Sequence, residues 1–178
     1  MVVFDRVVSS EHPHWHCLVS CYLEAFPADE RRPLPDLETL LQRSDFWCNV
    51  LLKADEPVGL FLSWELPRFR YIEHFAIAHA FLGQIIGKTA LNKYLGMCNL
   101  PVVLEVEPPV FEINSRRIRF YEREGFELCQ QQFIQPPYAP GQNSVELRLM
   151  EWGGNLLKQN FEQVKNELYR TVYGCDII

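Results

Sequence analysis

The sequence predicts an α/β fold of the α+β type, in which one mixed sheet is covered by helices on both faces. Three observations predict it. The chain has 178 residues, enough for one domain with a substantial core. Its composition, 48% hydrophobic and 22% charged, is typical of a globular protein. Strand-like and helix-like segments follow in the order β-α-α-β-β-β-α-β-α-β-β-α without a repeat or linker, so we expect residues 1–178 to form a single domain.

The first half of the chain is predicted to hold one strand, two helices and three further strands. Leu18, Cys21 and Tyr22 recur at helical spacing before Pro27, which indicates a helix that ends there. Asp36 is a suitable N-cap for the second helix. The predicted strands cover residues 2–8, 47–53, 58–66 and 70–77, and the two helices cover residues 14–25 and 37–43.

The second half is predicted to hold three helices and three strands. Gly125 follows the second of these helices, where a glycine commonly ends one. Phe161, Val164 and Leu168 align on one face of the last helix, so residues 155–178 form a C-terminal helical extension. Its apolar face could pack against a second copy of the chain and give a homodimer. The predicted helices cover residues 87–97, 114–124 and 156–172, and the strands cover residues 102–106, 126–133 and 145–150.

Charge and composition argue against several classes of partner and location. The formal net charge of −6 argues against general binding to nucleic acid or to an anionic membrane. Residues 75–86, the richest apolar stretch, are too short to span a bilayer, and residues 1–10 do not resemble a signal peptide. The six cysteines include no CxxC pair, so we expect reduced thiols and a cytoplasmic protein.

One group of residues near the N-terminus has the composition of a metal site. His14, Cys17 and Cys21 would share a helix face, with His12 and His16 close by. Four-ligand zinc sites usually pair their ligands at tighter spacing and draw on a second element. Core cysteines and surface histidines explain the group better, so we expect no metal.

Three segments carry a resemblance to a known family. Residues 71–77 (YIEHFAI) form the end of a predicted strand, and residues 82–87 (LGQIIG) open the next helix. Residues 114–126 (NSRRIRFYEREGF) form a helix followed by Gly-Phe. The order of elements and these segments resemble the GNAT family of N-acetyltransferases over about residues 1–150. The resemblance implies an acyl-CoA N-acyltransferase fold, with a central, mostly antiparallel sheet flanked by helices, and acetyl-CoA as co-substrate.

A helix N-terminus suits a pyrophosphate, because it presents unpaired backbone N–H groups and the positive end of the helix dipole. Aligned without a gap, the family's usual basic residue falls on Leu82 and its middle glycine on Ile85. Aligned two residues later, Gln84 and Gly87 fit the family pattern, but Thr89 stands where glycine or alanine is usual. The loop departs from the family pattern in either alignment. The helix of residues 114–124 adds arginines, one of which could contact the phosphates. The resemblance implies a coenzyme site formed by Phe75, Ala76, Ile77, Leu82, Gly83, Gln84, Ile85, Ile86, Gly87, Lys88, Asn114, Arg117 and Tyr121. Asn114 could alternatively cap its helix.

Acyl transfer from a thioester to an amine requires a neutral amine and a proton for the leaving thiolate. Strand alternation would place Tyr71, Glu73, Phe75 and Ile77 on one face, which makes Glu73 a candidate base. Alternatively, Glu73 could be a structural carboxylate paired with a neighbouring cation. Tyr121 matches the tyrosine that lies near the coenzyme sulfur in this family, and its phenol could donate the proton. A core tyrosine is the alternative.

Two further carboxylates are candidates for binding the substrate. Glu105 and Glu107 alternate onto one face of the next strand, where the resemblance opens a gap beside Glu73. Together the three would attract a cationic amine and could raise the pKa of one of them. A solvated strand face is the alternative.

These observations predict an N-acetyltransferase that transfers the acetyl group of acetyl-CoA by direct attack of a primary amine. The acceptor is a small molecule or a peptide that the sequence does not identify. The alternative is a catalytically degenerate module that binds acyl-CoA or a protein partner as a sensor, which the departures at Leu82 and Ile85 motivate.

Overall fold

The computed structural model describes residues 1–175 and has the predicted order of strands and helices. Seven strands form one sheet, in the order β1-β2-β3-β4-β5-β7-β6. Their bounds are Val2–Arg6 (β1), Phe46–Lys53 (β2), Glu56–Glu65 (β3), Arg70–Ile77 (β4), Val102–Val106 (β5), Glu127–Gln135 (β6) and Val145–Trp152 (β7). The prediction of a mixed, mostly antiparallel sheet is confirmed.

Five α-helices cover the sheet. They are Trp15–Ala25 (α1), Leu34–Leu40 (α2), Ile86–Leu95 (α3), Glu112–Arg123 (α4) and Leu156–Thr171 (α5), and two short 3-10 helices lie at Ala28–Glu30 and His79–Phe81. The prediction that Asp36 caps the second helix is wrong. α2 begins three residues earlier than predicted, after Pro33, because Pro35 is compatible with a first helical turn, and Asp36 lies within that turn.

The helices bury two separate cores, one on each face of the sheet. On one face, α1, α2 and α5 contribute Tyr22, Leu37 and Leu168 to a core that includes Trp64. On the other face, α3 and α4 contribute residues such as Leu91 and Ile118. The apolar face of α5 is therefore buried against its own sheet, which removes the observation that suggested a homodimer through this helix.

The centre of the sheet opens between its two parallel strands. β4 and β5 pair at three positions only, Arg70 with Val102, Tyr71 with Val103 and Ile72 with Leu104. All other neighbouring strands are antiparallel. Beyond Ile72 and Leu104 the ends of β4 and β5 diverge, so backbone groups in this part of β4 face a gap instead of a strand.

A β-bulge changes which residues of β4 share a face. The register between β3 and β4 passes from Ile72 to His74 and leaves Glu73 without a partner. Tyr71 and Glu73 therefore lie on the α1–α5 side, whereas Phe75 and Ile77 pack on the α3–α4 side. The prediction that all four share one face is wrong, because simple alternation does not hold across a bulge.

Two observations concern membrane-spanning helices and metal-binding groups, which the sequence argues against. Within residues 1–175, no helix is long and apolar enough to cross a membrane. His, Cys, Asp and Glu side chains in the same residues form no group of three or more that could hold a metal ion. His12 instead lies 3.4 Å from Asp5, and all six cysteines are free thiols.

Candidate active site

A cavity of about 600 Å³ occupies the gap between β4 and β5. One part of its wall comes from the loop before α3 and from α4, and the other comes from the end of α1 and the 3-10 helix Ala28–Glu30. The cavity therefore passes from one face of the sheet to the other. Of the predicted site residues, those in the wall are Glu73, Phe75, Ala76, Ile77, Leu82, Gly83, Gln84, Gly87, Lys88, Glu105, Glu107, Arg117 and Tyr121.

Three predicted site residues lie outside this wall. The Ile86 side chain is buried in the core beneath α3, and Ile85 is exposed to solvent. The buried Asn114 side chain donates a hydrogen bond to the carbonyl oxygen of Pro108 at 3.1 Å. Its predicted capping role is wrong, because α4 begins at Glu112 and Asn114 lies within the first turn.

The loop before α3 presents a free helix N-terminus to the cavity. The first backbone bond of the helix runs from the N–H of Thr89 to the carbonyl of Ile85, which leaves the preceding N–H groups available. Gly83 has φ of 77°, a conformation that favours glycine. A Cβ atom built on Gly87 would lie 3.6 Å from the side chain of Ile77, so the backbone there lies close to the cavity wall.

Two lysines bring positive charge to this loop. Lys88, in the first turn of α3, lies 3.0 Å from Glu124. Lys53, at the end of β2, donates a hydrogen bond to Oε1 of Gln84 at 2.9 Å. Sequence analysis missed Lys53, because only the folded sheet brings the β2–β3 turn beside the loop.

Glu73 is a fully paired carboxylate. Oε1 accepts hydrogen bonds from Arg32 Nε at 3.1 Å and from the Tyr138 hydroxyl at 2.9 Å, and Oε2 accepts one from Trp64 Nε1 at 2.8 Å. Burial alone would raise the pKa of Glu73, but the Arg32 charge and these hydrogen bonds outweigh burial and hold it below its usual value. Glu73 is therefore ionised and has little affinity for a further proton.

Glu105 is a partly buried carboxylate whose partners are hydroxyl groups. Tyr173 donates to its two oxygens, at 2.7 and 2.9 Å, and Tyr71 also lies within hydrogen-bonding reach. Burial raises the pKa of Glu105 to about 7, although the tyrosine hydrogen bonds oppose that rise. This carboxylate can take and release a proton near neutral pH.

The three predicted carboxylates do not form one free acidic cluster. Glu73 pairs with Arg32, and Glu107 pairs with Arg117 on α4. Glu105 remains available, and Glu30 from the 3-10 helix joins it in the cavity wall. Burial raises the pKa of Glu30 above its usual value. The acidic part of the cavity therefore includes Glu105 and Glu30, and the predicted trio does not act as one free group.

Two aromatic residues meet the cavity on its other side. Tyr121 is buried, with its ring 5.2 Å from that of Phe120 and 5.5 Å from that of Phe126. Burial raises the pKa of Tyr121 to about 12, so its phenol keeps its proton at neutral pH. Phe120 also lines the cavity, close to Gly87. Tyr121 is thus part of the core and of the cavity wall at once.

Comparison with known proteins gives one family. The profile of the acetyltransferase (GNAT) family matches residues 14–126. A protein from Bacteroides thetaiotaomicron, described as an acetyltransferase of that family, is 33% identical, with a TM-score of 0.92 over 98% of this chain and 99% of its own. No curated protein sequence matches the chain.

Two further solved structures share the fold at lower identity. A GNAT family acetyltransferase from Elizabethkingia anophelis, solved with acetyl-CoA bound, is 15% identical, with a TM-score of 0.60 over 86% of this chain and 98% of its own. Naa50 from Arabidopsis thaliana, solved with the bisubstrate analogue CoA-Ac-MVNAL, is 18% identical, with a TM-score of 0.63 over 86% of this chain and 99% of its own.

Proposed function

Because the chain belongs to the GNAT family of acetyltransferases, we propose that it transfers the acetyl group of acetyl-CoA directly to a primary amine of a small molecule or peptide. The observation that carries the proposal is the cavity between β4 and β5. In it, a carboxylate that titrates near neutral pH, Glu105, and a protonated phenol, Tyr121, line the same space.

The coenzyme fits the α3 side of this cavity. Its pyrophosphate would lie against the free N–H groups at the start of α3, near Gly83 and Gly87. Its pantetheine arm would enter the gap along residues 75–77, where β4 no longer pairs with β5. Arg117 and Lys88 line the same part of the wall, although each is paired with a glutamate in this structure.

We assign the base to Glu105 in preference to Glu73. An amine is cationic at neutral pH and must lose a proton before it can attack. A base works best when its pKa is close to the working pH, and Glu105 meets this condition. Glu73 is held ionised by Arg32, so its proposed role is structural: it fixes the wall of the acceptor pocket. The acceptor pocket is the part of the cavity lined by the end of α1 and the 3-10 helix Ala28–Glu30.

In the proposed reaction, each proton that is removed or donated is accounted for. Glu105 accepts a proton from the ammonium group, directly or through water. The amine nitrogen forms a bond to the thioester carbonyl carbon, and the carbon–sulfur bond breaks. Tyr121 donates its proton to the departing sulfur and recovers one from the attacking nitrogen through solvent, and Glu105 releases the proton it accepted to bulk water. The products are the N-acetylated amine and the free thiol of coenzyme A.

The acceptor pocket favours a cationic substrate. Glu30 and Glu105 provide negative charge, and Glu24 at the end of α1 adds to it. Phe26 also lines this part of the cavity, and an aromatic ring can bind a cation. These features support an ammonium-bearing acceptor, either a free amine or a peptide N-terminus.

A free-thiol assay with acetyl-CoA tests the proposal. Polyamines, amino acids, aminoglycosides and peptide N-termini should be compared as acceptors, with Glu105→Gln and Tyr121→Phe as matched variants. Amine-dependent thiol release that both variants reduce would support an acetyltransferase with this site. Coenzyme binding by calorimetry without thiol release for any amine would favour the sensor alternative.

A further inference from the structure

The C-terminal segment, residues 172–175, follows α5 and returns to the cavity wall, where it contacts Glu105 directly and Glu73 through Arg32. Arg32, which pairs with Glu73, also donates a hydrogen bond to the carbonyl oxygen of Val172. The next residue, Tyr173, is 7% exposed and donates its hydroxyl proton to the carboxylate of Glu105. The C-terminal segment therefore lies in the first layer around the carboxylate that faces the acceptor.

We propose that Tyr173 is a positioning residue for the proton transfer at Glu105, so that the C-terminal segment completes the active site. This inference rests on the proposed function, in which Glu105 is the base. The hydroxyl of Tyr173 lies 2.7 Å from Oε1 and 2.9 Å from Oε2 of Glu105. A donor shared between the two oxygens fixes the plane of the carboxylate and leaves its outer lone pairs for the amine or a bridging water.

The charge of Glu105 depends on this contact because the residue is partly buried. A buried carboxylate favours its neutral form unless donors stabilise the anion. Burial also raises the pKa of Tyr173 well above its usual value, so the phenol remains a donor at every pH at which the enzyme would work. Without Tyr173, a larger fraction of Glu105 would hold a proton at neutral pH and could not accept one from the ammonium group.

Other titratable groups around Glu105 also affect its charge. Tyr71 on β4 supports the anion through a hydrogen bond, whereas the negative charges of Glu73 on β4 and Glu30 on the 3-10 helix oppose it. Tyr138, from the loop before β7, packs its ring 5.0 Å from that of Tyr173. The hydroxyls of Tyr173 and Tyr71 also lie 3.3 Å apart, so Tyr173→Phe removes this contact together with the donor to Glu105, while Tyr71 keeps its own hydrogen bond to the carboxylate.

Tyr169 provides a matched control. It belongs to the same aromatic group, with its ring 6.4 Å from that of Tyr173, but its hydroxyl donates to the backbone carbonyl of Ile134 at 2.6 Å. Tyr169→Phe and Tyr173→Phe each remove one phenol oxygen and keep the ring. Only the second removes a donor to Glu105.

The test is a carbon-13 NMR titration of the Glu105 carboxyl in the full chain, with Glu105→Gln used to assign its signal. Tyr173→Phe should raise the midpoint by at least about one pH unit, the size expected for a lost hydrogen bond to a charged group. Tyr169→Phe should leave it unchanged. An unchanged midpoint in folded Tyr173→Phe, or an equal shift in both variants, would overturn the proposal.

A second measurement covers the case in which Tyr173→Phe does not fold. Incorporation of 3-fluorotyrosine at position 173 makes the phenol a stronger donor and should lower the Glu105 midpoint, whereas an unchanged midpoint would contradict the proposal. If wild-type enzyme turns over an amine, the acidic limb of its rate profile should move with the midpoint, while the KM for acetyl-CoA stays constant. If the Glu105 midpoint shifts in a protein that acetylates no amine, the proposed function is rejected, whereas the role of the Tyr173–Glu105 hydrogen bond in setting the charge of Glu105 is supported.

Discussion

Arg32 and Glu73 form a buried ion pair, with Nη2 2.9 Å from Oε1, although 41 positions separate them in the sequence. The side chain of Glu73 is fully buried and that of Arg32 is only 10% exposed. Arg32 also lies over the ring of Tyr138, 4.5 Å from its centroid. This pair joins the loop after α1, β4 and the loop before β7, which are the three segments that shape the acceptor pocket.

The first prediction concerns the stability that this pair provides. Glu73→Gln leaves the buried Arg32 charge without its counter-ion and should lower the free energy of unfolding by about 3–5 kcal/mol. Urea denaturation at pH 7 measures this loss. Glu146→Gln, which removes an exposed pair with Arg148, should cost less than about 1 kcal/mol. Equal losses of unfolding free energy in the two variants would show that the buried pair stabilises the fold no more than an exposed one does.

The same pair predicts a pH dependence of stability. Because the pKa of Glu73 is below its usual 4.5 in the folded protein, its contribution is present above pH 4.5. It is lost as pH falls through the lower, folded-state pKa. Thermal melting temperatures of the wild type should therefore drop below pH 4.5 more steeply than those of Glu73→Gln. Parallel curves for the two proteins would show that Glu73 does not carry the acid sensitivity.

The stability that Glu105 contributes changes with pH in the opposite direction. Its pKa is raised from 4.5 to about 7 in the folded protein, so its contribution to stability is present below pH 4.5 and is lost as pH rises through about 7. Catalysis needs the ionised form, so the rate should rise over the same range in which stability falls. Glu105→Gln should remove both dependences and lower turnover by about 10² or more. Retention of the rate rise near pH 7 in this variant would exclude Glu105 as the base.

Much of the fold could be predicted from the sequence, because hydrophobic periodicity is a local property. Strands β4 and β5 have the predicted bounds, whereas the gap beside Glu105 follows from the family resemblance and not from periodicity. The bulge at Glu73 could not be foreseen, since the insertion exists only relative to the partner strand β3. Arg32 and Tyr173 were missed for a related reason. Each reaches the site through a contact distant in sequence, and neither belongs to a motif.

The fourth prediction concerns Tyr121. Tyr121→Phe keeps the ring and its packing against Phe120 and Phe126 but removes the phenol proton. If the phenol protonates the leaving sulfur, turnover should fall by about 10² or more, while calorimetry should give an acetyl-CoA affinity close to that of the wild type. Turnover within a factor of two of the wild type would leave Tyr121 with a packing role only.

The last prediction concerns the proposed pyrophosphate-binding loop before α3, whose sequence departs from the family pattern. Ile85 is 72% exposed and has an ordinary φ of −74°, so its side chain neither blocks the helix N-terminus nor requires glycine. Leu82 is 59% exposed and brings no charge. Leu82→Arg should therefore tighten acetyl-CoA binding by about tenfold, through a charged contact of about 1.5–3 kcal/mol, and Ile85→Gly should change it little.

The control for this prediction places the same charge at the other end of the same helix. Met97 follows the last turn of α3 and is 62% exposed, so Met97→Arg changes the net charge equally without approaching the loop. The gain in Leu82→Arg should shrink with added salt, because a contact to phosphate is screened. Calorimetric titration with acetyl-CoA gives both quantities. If Met97→Arg tightens binding as much as Leu82→Arg does, the effect is one of overall charge, and the pyrophosphate does not lie at the start of α3.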